Sequence, residues 1–83
     1  MYNVRIRLFM GEKIVVLREA EEYITLQILL KISDIIPTGG MAKHFLANNI
    51  VYVNGEKENR RGRKLYPGDK IQVSNTSFVI RAK

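Results

Sequence analysis

Apolar and polar residues alternate at the start of the chain, with Tyr2, Val4, Ile6 and Leu8 separated by Asn3, Arg5 and Arg7. A period of two belongs to a strand with one buried face. Met10-Gly11-Glu12-Lys13 can reverse the chain, and Ile14 to Leu17 reads as the returning strand, so residues 2–17 form an expected β-hairpin. The polar stretch Arg18 to Glu22 is a connection. Beyond it the period lengthens. Thr25 is suited to cap a helix running to about Ile36, with Leu26, Leu29 and Leu30 on one stripe and Ile28, Ile32, Ile35 and Ile36 broadening it. Pro37 disfavours helical geometry in the residue before it and marks the expected end.

Thr38-Gly39-Gly40 predicts a tight turn, and a second helix follows over roughly Gly40 to Asn48. Met41, Ala42, Phe45 and Leu46 fall on its apolar face, and Lys43, His44, Ala47 and Asn48 on the other. Asn49 suits a left-handed C-terminal cap. Ile50 to Val53 reads as a strand ending in Asn54-Gly55, the strongest two-residue hairpin signal in the chain. Pro67-Gly68 and Asn75-Thr76 predict turns around strands at Ile71 to Val73 and Phe78 to Ile80. The expected class is α+β: an N-terminal β-hairpin, two short packed helices, then a small antiparallel β-sheet. At 83 residues the whole chain, 1–83, is expected to be one domain.

Charge changes this picture more than composition does. The first 42 residues hold as many acids as bases, so the net charge of +6 lies entirely in residues 43–83. Such asymmetry is the footprint of a nucleic-acid binder, although a generic basic surface would give the same count. An anionic membrane surface fits less well, because no helix pairs a basic face with a wide apolar one. No stretch reaches the roughly 20 apolar residues of a membrane span. The N-terminus does not read as a signal peptide, and the absence of cysteine fits a reducing compartment. A cytoplasmic protein is the expectation, with a monomer as the default state.

The positive charge concentrates in Asn59-Arg60-Arg61-Gly62-Arg63-Lys64. Four neighbouring cations repel one another, and a polyanion whose condensed counterions they release would account for them. Gly62 divides the run so that Arg60-Arg61 and Arg63-Lys64 can meet different phosphates. A glycine pair at a helix start leaves backbone N–H groups open to an anion, which makes Gly39, Gly40 and Met41 candidates, although Gly39-Gly40 also suits a plain interhelical turn. Lys43 and the sole histidine, His44, are ordinary surface residues taken singly, yet an imidazole can stack on an unpaired base. Tyr52 and Tyr66 flank the run and could stack or simply pack.

Taken in order, Ile24-Thr25-Leu26-Gln27-Ile28-Leu29-Leu30-Lys31, Gly39-Gly40-Met41-Ala42-Lys43-His44-Phe45-Leu46, Val51-Tyr52-Val53-Asn54-Gly55 and Asn59 to Asp69 resemble the RNA-binding domain of ribosomal protein S-four type, and within it the stand-alone YaaA-like proteins. The resemblance covers residues 24–73 and leaves the hairpin 2–17 outside. It implies a motif of two helices and a β-loop that grips structured RNA, with ribosomal RNA or a ribosome-assembly intermediate as the target. Carried onto this sequence, the implied contacts are Lys43 and His44 on helix two, Asn54 at the turn, and Arg60, Arg61, Arg63 and Lys64. Thr25-Leu26-Gln27 stands where many wider family members have Arg, Leu and Asp, and Thr38-Gly39-Gly40 where many have Ser-Arg.

Enzyme readings lack their residues. The chain has no Gly-x-Ser-x-Gly, no Gly-rich phosphate loop ending in Lys-Ser or Lys-Thr and no nucleophilic cysteine, and its single histidine cannot form a metal pair. Neither a cofactor nor a metal is expected. Glu19, Glu21 and Glu22 read as a solvated cluster and Asp69 as a turn residue. Two rivals remain: a β-grasp sulfur carrier, whose chemistry needs a terminal Gly-Gly where this chain has Ile80-Arg81-Ala82-Lys83, and an adaptor whose basic loop meets an acidic protein.

Overall fold

The computed structural model describes residues 5–9 and 11–83. Tyr2, Val4 and Met10 of the expected hairpin lie outside those residues. Strands β1 (Arg5–Phe9) and β2 (Glu12–Val16) pair antiparallel around Gly11, as the alternation predicts. The hairpin is not an appendage, however. Strand β2 runs parallel to the last strand, β8 (Thr76–Arg81), with Ile14 opposite Val79 and Val15 opposite Ile80.

Strands β4 (Val51–Val53), β5 (Glu56–Lys57) and β7 (Lys70–Val73) complete a six-stranded sheet in the order β1-β2-β8-β7-β4-β5. The sheet is therefore mixed, with one parallel pair among antiparallel ones. Two further short strands, β3 (Ile24–Thr25) and β6 (Lys64–Leu65), pair with each other alone. The domain is α+β.

One face of the sheet carries the core. Val15, Val51, Val53, Ile71, Val73, Phe78 and Ile80 are buried there against Leu26, Leu29 and Leu30 of α1 (Leu26–Ile32) and Ala42 and Leu46 of α2 (Ala42–Asn48). Period two in the strands and the Leu stripe in α1 meet in a single cluster, which holds sixteen buried apolar residues among those described. Phe45, expected in the core, is only half-buried and packs on its rim. Met41, placed on the apolar face by its spacing, is 42% exposed, because Gly39–Met41 forms a 3-10 turn and not the first turn of α2. The tighter winding rotates Met41 off the buried stripe.

Both helices are shorter than their patterns suggest. Thr25 caps α1 as expected, its hydroxyl accepting from the Ile28 N–H at 3.3 Å. The helix stops at Ile32, four residues before the predicted end, and Pro37 is not the cause. Asp34 adopts φ 59°, its N–H donates to the Lys31 carbonyl, and the Ile35 N–H reaches back to Leu30. This is a Schellman ending with aspartate where glycine is usual. Asp34→Gly removes a Cβ from a left-handed position and an acid from the negative end of the helix. It is expected to stabilise the domain by about 0.5–1 kcal/mol, read as a rise in thermal midpoint. At the end of α2, Asn49 is extended (φ −138°) and not left-handed. Its side-chain amide donates to the Phe45 carbonyl, and that of Asn48 to His44, so the last carbonyls are satisfied by side chains.

Candidate nucleic-acid interface

The basic run is anchored from below. Glu58, just before it, is 8% exposed, and its carboxylate accepts from Arg60 Nε at 2.9 Å, from a terminal nitrogen of Arg60 at 3.1 Å and from Arg63 Nη1 at 2.7 Å. The Arg60 backbone N–H donates to the same carboxylate. Hydrogen bonds from the Arg60 side chain, working against burial and joined by the bond from Arg63, hold the Glu58 carboxyl at about 2, below its ordinary 4.5. The same bond pushes the Arg60 guanidinium up. Two of the four cations thus have a partner inside the chain. Their mutual repulsion is offset locally, a possibility the sequence reading did not weigh.

A second set of bonds welds the loop to α1. The Leu26 and Gln27 N–H groups, which have no acceptor within a helix start, donate to the Arg63 and Arg61 carbonyls, each at 2.9 Å. Thr25 pairs with Lys64, and Ile24 with Leu65, through β3 and β6. The loop backbone therefore serves as the helix cap, and the cap fixes the loop. The run is therefore not a free segment, since its backbone is bonded to α1 and β3.

With the backbone held, the heads point out. Arg60 keeps 70% of its side chain exposed and Arg63 33%. Arg61 and Lys64 are also exposed, and among the described residues no carboxylate pairs with either. The Lys64 ammonium lies 5.1 Å from the centre of the Tyr23 ring, a cation–π contact. Arg60, Gly62, Arg63 and Lys64 line an open depression of about 610 Å³, closed on its far side by Tyr66 and Asp69.

The other candidates divide. Lys43 and His44 are exposed on α2, as expected from the period, and no hydrogen bond or ion pair among the described residues joins them to the loop. A Cβ on Gly39 would come within 2.6 Å of Gln27 Nε2, so Gly39 is shaped by its approach to the residue that binds the loop through its N–H. Gly40 is exposed and makes no such approach, while the Met41 N–H already donates to the Thr38 carbonyl. The glycine pair is first of all a turn.

Asn54 sits at φ 53° before Gly55 at 84°, the paired left-handed geometry that Asn-Gly signals. Its side chain is fully engaged, donating to Asp69 Oδ1 at 3.0 Å and accepting from the Lys70 N–H at 2.9 Å. Asp69 in turn accepts from the Tyr66 N–H at 2.8 Å. Asn54 therefore supports the wall of the depression, and Asp69 is the turn residue it was expected to be.

Sequence reasoning missed Glu58, which looks like one more surface charge among many, and Gln27, whose role rests on a backbone bond. Among the described residues no group of acids and histidine could hold a metal ion, and no helix is long and apolar enough to cross a membrane.

Residues 15–81 match the family description "S4 domain". The chain is also similar to the "Probable ribosome maturation protein RlbA" of Bacillus subtilis (strain 168), with 56% identity over 52 residues, covering 63% of this chain and 73% of that protein. The family match takes in the end of β2, both helices, the basic loop and the closing strand, and the chain belongs to the S4 domain family.

Proposed function

We propose that this protein is a non-catalytic RNA-binding protein that docks on structured RNA, ribosomal RNA or a ribosome-assembly intermediate, through its loop and α2 face. The observation that carries the reading is the contrast within the loop. Its backbone is fixed by Glu58 and by the N-terminus of α1, while Arg60, Arg61 and Lys64 remain open to solvent. A surface without a ligand has no need to order a cluster of cations in this way. A phosphate backbone gains from it, because side chains already positioned lose little freedom on contact. The name of the Bacillus subtilis relative points the reading toward the ribosome.

In this mechanism Arg60, Arg61, Arg63 and Lys64 meet backbone phosphates, and Lys43 and His44 add contacts from α2. Gly40 lies at the turn between helices, beside that face. A-form RNA hides its base edges in a narrow groove, so such a surface reads shape and phosphate spacing before sequence. The protein acts as a monomer in the cytoplasm, without cofactor.

A salt series tests the electrostatics. If about four phosphates are neutralised, log K against log salt should fall with a slope of roughly −3 to −4 for a duplex region. A flat response would overturn the mechanism. Co-sedimentation with ribosomal particles that survives nuclease would instead favour an acidic protein partner.

A further inference from the structure

The depression beside the basic loop is bordered by an aromatic ring, Tyr66, that is packed on one side only. Tyr66 is 45% exposed, one of three large apolar side chains left open among the described residues. Its ring stands against Tyr23, with centroids 5.5 Å apart and planes at 47°, and Lys64 lies over the other ring of that pair. Tyr23 therefore holds one side of Tyr66, which borders the depression of about 610 Å³ shared with Arg60, Gly62, Arg63 and Lys64.

Its backbone is equally constrained. Asp69 accepts from the Tyr66 N–H, the Asp69 N–H returns to the Tyr66 carbonyl, and Asn54 clamps Asp69 from the neighbouring turn. Gly62 leaves the rim low, since nothing lies within 4 Å of where its Cβ would be. An immobilised aromatic surface, an open space and cations around the edge are the three components of a site that stacks a base while holding its phosphates.

We propose that the Tyr66 depression is a subsite for one unpaired nucleobase, flanked by phosphates on Arg60, Arg63 and Lys64. The proposal rests on the RNA-binding reading above and adds to it a preference for RNA that offers a bulged or looped-out nucleotide. Continuous duplex can meet the cations but cannot deliver a base to the ring, because its bases are stacked on each other. Stacking of one base on an aromatic side chain corresponds to about 5- to 100-fold in affinity. The subsite is indifferent to base identity as far as the ring is concerned, since every base has a stacking face.

The test uses two blunt-ended RNA duplexes of the same stem sequence, each annealed from two strands, one continuous and one with a single unpaired 2-aminopurine. The parent protein should bind the bulged RNA more tightly by about 5- to 100-fold and quench the 2-aminopurine fluorescence. Tyr66→Leu should lose the preference and the quenching, yet keep the affinity for the continuous stem and the same salt slope. Tyr66→Phe, which keeps the ring, should behave as the parent. Equal binding of the two RNAs by the parent, or a Tyr66→Leu protein that still prefers and quenches the bulge, overturns the subsite while leaving the RNA reading in place. Failure of the parent to bind either RNA in a salt-dependent way overturns both.

Discussion

Alanine at Arg60, Arg61, Arg63 and Lys64 together is expected to destabilise the fold as well as abolish binding. The sequence alone suggests a harmless change, because the four residues look like surface cations. The structure places the Glu58 carboxylate beneath them, with its side chain only 6% exposed and both arginines on it. Without those partners Glu58 keeps only the Arg60 backbone N–H and loses its charge-assisted hydrogen bonds, a change that costs about 1–3 kcal/mol. That is a large fraction of the roughly 5–15 kcal/mol by which a small domain is stable.

Chemical denaturation of the variant checks the stability loss, and a fifth change identifies its source. Glu58→Leu in the same background should restore most of the stability and none of the RNA affinity. Acid gives an independent readout. In the parent, the folded Glu58 value of about 2 lies below the ordinary 4.5, so its contribution is complete above about 4.5 and is lost as pH falls toward about 2. In the four-alanine variant the side-chain bonds are gone and only the Arg60 backbone N–H still favours the charged form, so this acid-sensitive contribution shrinks. The gap in stability between the two proteins should therefore narrow with acid. A gap that stays constant would mean that Glu58 is not its origin.

The second large effect separates binding from folding. Arg61→Ala with Lys64→Ala removes two exposed cations that no carboxylate holds among the described residues. Their backbone roles, the Arg61 carbonyl on Gln27 and the pairing of Lys64 with Thr25, do not need the side chains. Thermal stability should change by under about 1 kcal/mol, most of it from the lost Lys64 contact with Tyr23. RNA affinity should fall about 5- to 30-fold, from roughly 0.5–1 kcal/mol per phosphate contact, and the salt slope should become shallower by almost 2. A binding loss with an unchanged slope would point to a distorted surface instead of missing phosphate contacts.

The contrast between these variants also shows what the sequence made legible. Local signals were readable: Thr25 as a cap, Asn54-Gly55 as a turn, the Leu stripe of α1, and the exposure of Lys43 and His44. Each depends on residues within a few positions of one another. Where a residue departs from the usual choice, the pattern misled. Asp34 ends α1 in a conformation normally given to glycine, and Asn49 caps α2 through its side chain with its backbone extended.

Long-range pairing left no trace in the pattern. Nothing in Ile14 to Leu17 says that a parallel partner lies at the far end of the chain. Likewise nothing in Glu58 says that it faces inward, because a carboxylate between Lys57 and Asn59 reads as solvated. The basic run was found through its charge. Its rigidity was not, since that comes from carbonyl groups that every residue has.

The parallel pairing of β2 with β8 bears on when this protein becomes functional. Strand β8 is the last in sequence yet lies in the middle of the sheet, between the hairpin and β7. Until it is synthesised, the hairpin and the β7-β4-β5 unit are separate pieces, each with an open edge of unpaired backbone groups. Closure across so long a loop is slow, and the helices lack part of their apolar floor while Phe78 and Ile80 are missing. A nascent chain can form the α1 turn and the Asn-Gly hairpin early, but it cannot present a finished basic surface. On the RNA-binding reading proposed above, insertion of this strand is the step that completes the sheet behind the basic surface.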